Sequence, residues 1–172
     1  MFPAQGIMND EEIDALCTHE GDPLIAPYDF DMLQGHSYDC KLSEESAFPS
    51  AKHKSWNRGK FSCISLESHA FGLFSTKEYF KLPNNVAGFV CGKSSIGRNG
   101  LQIENAGYID AGFHGNITLE LFNMRSYAVE LVPDMPICQV IFFWVKEAKI
   151  KPYCRVGHYN GQTGPTIPKY RI

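Results

Sequence analysis

The chain has 172 residues, 44% of them hydrophobic and 20% charged, with a formal charge of -3. That length supports one well-buried domain spanning residues 1–172, and the composition is globular, neither disordered nor fibrous. The mild negative charge provides no basic field for a nucleic-acid polymer. No stretch approaches the roughly 18 apolar residues that span a bilayer, and no basic segment leads into an apolar run at the N-terminus, so a cytoplasmic protein without a membrane partner is expected.

In chain order, NDEEIDAL (9–16) predicts a short helix with Asn9 as its cap and three acids at the positive end of its dipole. Beyond it, β-branched and aromatic residues come in short runs punctuated by Gly, Pro and Asn: FSCISLE, AFGLFST, VAGFVCG, GNITLELF, AVELV and ICQVIFFWV. This pattern predicts an all-β fold, a barrel or sandwich. The polar, interrupted segment from Ser43 to Lys60 predicts a long surface loop or insertion. After Pro152 the Gly/Pro-rich segment YCRVGHYNGQTGPTIPKYRI predicts a flexible C-terminal tail over residues 153–172. Cys17, Cys40, Cys63, Cys91, Cys138 and Cys154 stand far apart with no CxxC pair, the pattern of reduced, mostly buried thiols.

Three stretches could carry chemistry. In GKSSIGRNG (92–100) glycines free backbone N–H groups to face an anion, while Ser94, Ser95, Lys93 and Arg98 add donors and charge. The spacing is not that of a Walker A loop, and an ordinary Gly/Ser turn fits the same residues. In NITLELF, Ile117, Leu119 and Leu121 alternate with Asn116, Thr118, Glu120 and Phe122, so period two puts Glu120 on the less apolar face, as a solvated residue or a functional one. Asp110 lies in the hairpin before that strand, as a turn residue or a second carboxylate converging with Glu120. The six histidines have no HxxxH or HEXXH spacing, and the HxE and PCxxC elements of a zinc deaminase are missing, so removal of an amino group from a base would proceed without zinc.

Taken together, LQGHSYDCKL, LPNNVAGFVCGKSSIGR, AGYIDAGFHGNITLEL and HYNGQTGPT resemble, in order, the motifs of the trimeric dCTP deaminase and dUTPase family, closest to its deaminase branch. The resemblance implies a dUTPase-like distorted β-barrel and a homotrimer with interfacial active sites, closed by the tail. Ser94, Ser95 and Arg98 match the loop that touches substrate and triphosphate, and Lys93 stands where the family usually has arginine. Asp110 matches the aspartate that binds the sugar 3′-hydroxyl and, in dUTP-cleaving relatives, helps place water. Phe113 matches the aromatic residue packed on deoxyribose, and Glu120 the deaminase glutamate, where plain dUTPases have an apolar residue. Ala106 and Tyr108 belong to the hairpin that reads the pyrimidine edge. In the tail, Tyr159, Gln162 and Gly164 fit KYxxQxG, with His158 in place of lysine.

The implied function is hydrolysis of dCTP to dUTP and ammonia, with Mg2+ carried by the nucleotide phosphates and with continuation to dUMP and pyrophosphate as a second activity. Between Arg98 and Asp110 the chain is one residue shorter than the deaminases compared and has the look of a dUTPase hairpin. A dUTPase therefore remains as an alternative, and so does a nucleotide-binding regulatory module without catalysis.

Overall fold

The computed structural model describes residues 6–50, 55–104 and 107–169. Its strands are β1 (Gly6–Ile7), β2 (Ile25–Ala26), β3 (Leu33–Gln34), β4 (Ser37–Lys41), β5 (Glu45–Pro49), β6 (Trp56–Lys60), β7 (Ile64–Leu66), β8 (Phe71–Lys81), β9 (Val86–Gly92), β10 (Leu101–Glu104), β11 (Tyr108–Ile109), β12 (His114–Asn123), β13 (Val129–Leu131) and β14 (Pro136–Trp144). The α-helices are α1 (Asp10–Thr18), α2 (Ser94–Arg98) and α3 (Tyr153–Val156). One antiparallel sheet runs β11-β9-β14-β4-β3 and a second runs β10-β12-β8-β5-β6, while β13 and β7 pair separately. The expected all-β fold is thus observed.

Alternation builds the core. Phe74 and Phe80 of β8 and Leu119 and Leu121 of β12 are buried from one sheet, and Tyr38, Val140 and Phe142 from the other. The Phe80 and Phe142 rings meet across the sheets with centroids 6.3 Å apart. Each fully buried side chain of this kind contributes roughly 1.5–3 kcal/mol of transfer free energy.

Helix α1 forms as its sequence predicts. Asn9 Oδ1 accepts from the Glu12 N–H at 3.0 Å, and Glu12 Oε2 accepts from the Asn9 N–H at 3.1 Å. This reciprocal cap satisfies two orphan donors. The other Glu12 oxygen accepts the Trp144 indole N–H at 3.0 Å, tying the helix to β14.

The described residues between Ser43 and Lys60 form strands where a loop was expected. Residues Glu45–Pro49 and Trp56–Lys60 pair as a hairpin on the edge of β8. Aromatic packing overrides the polar composition: Phe48 stands edge-on to Phe74 at 5.7 Å, and Trp56 meets Phe71 at 6.5 Å. Gly72 makes room for this, since a Cβ there would lie 2.6 Å from the Phe48 ring.

All six thiols are free, as expected, but only Cys17, Cys40 and Cys138 are buried. Cys91 is half-buried, and Cys63 and Cys154 are exposed.

Residues 153–169 belong to the expected C-terminal tail. Past α3 it lies along β12, where the Gly161 N–H donates to His114 O at 2.7 Å and the Asn116 N–H to Gln162 O at 3.0 Å. Gly115 permits the approach: at φ +145° it bridges Gln162, and a Cβ there would sit 2.8 Å from the Gln162 carbonyl oxygen. Among the described residues no helix is long and apolar enough to cross a membrane.

Candidate active site

Strand β12 forms one wall of a cleft of about 400 Å³. The alternation of its side chains turns Leu119 and Leu121 into the core and leaves Asn116, Thr118 and Glu120 half-buried on the other face. Thr118 and Glu120 both line the cleft.

A tight turn makes the second wall. The Phe113 N–H donates to Asp110 O at 3.1 Å, and Gly112 takes φ +84°, where a Cβ would lie 2.7 Å from Asn84 Oδ1. This turn buries Phe113 and leaves Asp110 half-buried, both facing the cleft. Burial pushes the Asp110 carboxyl above its ordinary value.

The tail closes the third side with Tyr153, Tyr159, Gln162, Thr166 and Pro168. The Tyr153 ring packs against Phe113 with centroids 6.2 Å apart, and its hydroxyl accepts from the Tyr159 N–H at 3.4 Å. Burial raises the Tyr153 phenol, which the neighbouring Asp110 carboxylate raises further. The Thr166 N–H donates to Thr118 Oγ1 at 3.0 Å, fastening tail to strand beside the site. A cavity of this size, with apolar and aromatic walls and a few polar groups, can take a planar base with its sugar. Its carboxylates can accept and return protons.

Of the sequence-predicted residues, Glu120, Asp110, Tyr108, Phe113, Tyr159 and Gln162 come together in the cleft. Lys93, Ser94, Ser95 and Arg98 do not line it. The chain leaves β9 at Gly92 and winds into α2, beyond the rungs Phe89↔Tyr108 and Gly88↔Ile109 that carry the cleft's second wall. Lys93 is drawn aside by an ion pair with Asp39. His158 is hydrogen-bonded to Lys169 O at 2.7 Å, and Gly164 lines a separate polar groove with Glu45 and Asn116. Ala106 lies outside the described residues. The carboxylate half of the expected site is therefore present in one chain, and the expected phosphate half is displaced from it.

Sequence reasoning missed Thr118 and Tyr153 as cleft residues. Thr118 shares the period-two face of Glu120 and was within reach of that signal. Tyr153 was not, because its position depends on how the tail folds back. Among the described residues, no group of three or more His, Cys, Asp or Glu side chains is placed to hold a metal ion.

A distorted antiparallel barrel whose carboxylate-bearing cleft is closed by the C-terminal segment defines a dUTPase-like protein. The chain belongs to the dCTP deaminase-like family, whose model matches residues 7–145. It is 36% identical over 176 residues to the dUMP-forming dCTP deaminase of Persephonella marina, covering 95% of this chain and 96% of the relative. To the protein of the same name from Hydrogenobaculum sp. it is 41% identical over 156 residues, covering 85% and 86%. The fold is similar to that of the 2′-deoxycytidine 5′-triphosphate deaminase from Agrobacterium tumefaciens, with a TM-score of 0.69 at 21% identity. That likeness covers 83% of this chain and 49% of the other, so the chain spans about half the length of that structure.

Proposed function

We propose that the protein is a cytoplasmic deaminase that hydrolyses dCTP to dUTP and ammonia and carries the product on to dUMP and pyrophosphate. The observation that carries this reading is Glu120 on the wall of an aromatic cleft that Asp110 also lines. The dUMP-forming names of the relatives from Persephonella marina and Hydrogenobaculum sp. support the second step.

In the first step the Glu120 carboxylate takes a proton from water and passes it to N3 of cytosine, which makes C4 electrophilic. The hydroxide adds to C4. The same carboxyl then carries the proton from the added hydroxyl to the departing amine, so that water and dCTP become dUTP and ammonia. Phe113 packs on the deoxyribose, where a 2′-hydroxyl would crowd it, and Tyr108 borders the base. In the second step Asp110, holding the 3′-hydroxyl, orients a water for attack on the α-phosphorus, and pyrophosphate leaves.

The phosphate half of the site comes from a second copy in a homotrimer. Ser94, Ser95, Arg98 and Lys93 of one chain complete the cleft of its neighbour, with Ser94 holding the attacking water. Tyr159, Gln162, Gly164 and His158 close over the nucleotide as the end of a single 1–172 domain. Mg2+ arrives on the triphosphate and neutralises part of its charge. No zinc takes part.

The test is incubation with dCTP and with dUTP, following ammonia and pyrophosphate separately. Both products from dCTP are expected. Pyrophosphate from dUTP with no ammonia from dCTP would instead establish a dUTPase, the reading favoured by the short stretch between Arg98 and Asp110.

A further inference from the structure

The β12–β8 ladder breaks at one place. Asn116 pairs with Tyr79 and Thr118 with Ser75, so Thr76, Lys77 and Glu78 stand opposite Ile117 alone. Such a bulge frees backbone carbonyls that the ladder would otherwise use. The Asn116 side chain collects them: Nδ2 donates to Thr76 O at 3.2 Å, Lys77 O at 3.4 Å and Glu78 O at 3.0 Å. The Thr76 hydroxyl completes the bulge, donating to Glu78 O at 2.9 Å and accepting from the Ile117 N–H at 3.0 Å.

The rest of Asn116 faces the tail. Its Oδ1 accepts from the Gly164 N–H at 3.2 Å, its carbonyl from Gln162 Nε2 at 2.7 Å, and its N–H donates to Gln162 O at 3.0 Å. Only an amide can do both jobs here, because the bulge needs donors and Gly164 needs an acceptor. A carboxylate would keep the acceptor but set a negative charge against three carbonyl oxygens. Gln162 and Thr166 line the cleft on either side of Gly164, so whatever fixes residues 162–166 fixes that wall of the site.

We infer that Asn116 is a positioning residue: it clasps the tail to the bulge and so sets the wall of the cleft that Gln162 and Thr166 form. Contacts that favour the docked tail reduce the conformational entropy to be lost when substrate arrives, so the clasp acts on substrate affinity more than on the chemical step. The clasp itself is read from the hydrogen bonds that join Asn116 to the bulge and to residues 162–164, and only its kinetic consequence rests on the deaminase reading above.

The experiment is amide hydrogen exchange on the full-length protein without nucleotide, comparing wild type with Asn116→Ala and Asn116→Asp. Exchange over residues 157–169 should accelerate by about tenfold or more in both variants, the scale of losing a buried hydrogen-bond partner, while peptides from β14 keep wild-type protection. Gln162→Ala removes one tail bond, from Nε2 to the Asn116 carbonyl, without touching the bulge, and it should accelerate exchange in the same peptides even if an Asn116 variant fails to fold. With dCTP as substrate, the Asn116 variants should show KM raised about tenfold with kcat changed much less. Unchanged tail protection in Asn116→Ala with an intact β14, or in Gln162→Ala, would overturn the inference. Accelerated tail exchange in a protein that releases no ammonia would uphold the clasp and refute the deaminase reading alone.

Discussion

The ammonium group of Lys93 is bound to Oδ2 of Asp39, a side chain only 10% exposed, whose Oδ1 is buried without a hydrogen-bond partner among the described residues. A residue expected to contact triphosphate is thus, within one chain, the counter-charge of a nearly buried carboxylate. Gln34 Nε2 adds only a long contact to Oδ2, at 3.4 Å. Removing the lysine would leave a desolvated charge with little compensation.

Lys93→Ala should therefore cost roughly 2 kcal/mol of stability, and adding Asp39→Asn should restore most of it by removing the stranded charge. Urea unfolding of the two single variants and the double variant reads this directly. A Lys93→Ala protein of unchanged stability with a raised KM for nucleotide would assign the lysine to phosphate alone.

Glu78 gives a second stability test. Its side chain is buried at the bulge, and burial pushes the carboxyl up to about 7, against the Lys41 N–H that donates to both oxygens at 3.1 and 3.0 Å. Between the ordinary glutamate value and about 7 the folded chain keeps a proton that the unfolded chain has released. Stability should then be greatest below that window, fall as pH rises through it, and level off above it. The full change is at most on the order of 3 kcal/mol. Denaturant titrations between pH 5 and pH 8 should show this slope in wild type and a flatter profile in Glu78→Gln; equal slopes would remove Glu78 as its source.

The separation of Ser94 from Glu120 predicts complementation between chains. Ser94→Ala and Glu120→Gln homotrimers should both be inactive. In the proposed homotrimer, co-expression at equal levels should give a population in which about one site in four, counted over all trimers, combines an intact Glu120 with an intact Ser94 from a neighbour, a consequence of head-to-tail interfaces. About a quarter of wild-type ammonia release is expected. No recovery in demonstrably mixed trimers would locate both residues in the same subunit's site.

The strand face of Glu120 could be read directly from NITLELF, since period-two alternation depends only on neighbouring residues. Asn9 as the cap of a short helix, followed by three acids in its first turn, was equally legible. What the sequence hid was non-local. The hairpin at Glu45–Pro49 and Trp56–Lys60 exists because Phe48 and Trp56 reach Phe74 and Phe71 on another strand. Tyr153 enters the cleft only because the tail folds back along β12, and Gly/Pro-rich composition gives no hint of that docking. Within one chain the path of the serine segment out of β9 and the Lys93–Asp39 pair keep it off the cleft that Asp110 lines, another relationship set by residues distant in sequence.

Asp110 should separate the two proposed steps. Asp110→Asn keeps the turn's backbone hydrogen bond to Phe113 and removes the carboxylate charge. Pyrophosphate release should fall by about 100-fold or more, while ammonia release from dCTP falls far less. Equal losses of both products would make Asp110 a residue of substrate binding only.

Glu120 as proton carrier is tested most directly by Glu120→Gln in a single turnover with dCTP, measuring bound nucleotide and ammonia on the same sample. The amide preserves the shape of the cleft wall and cannot shuttle a proton. Binding within a few-fold of wild type with ammonia release lowered by at least about 1,000-fold is the expected result. Ammonia released at the wild-type rate would contradict the account.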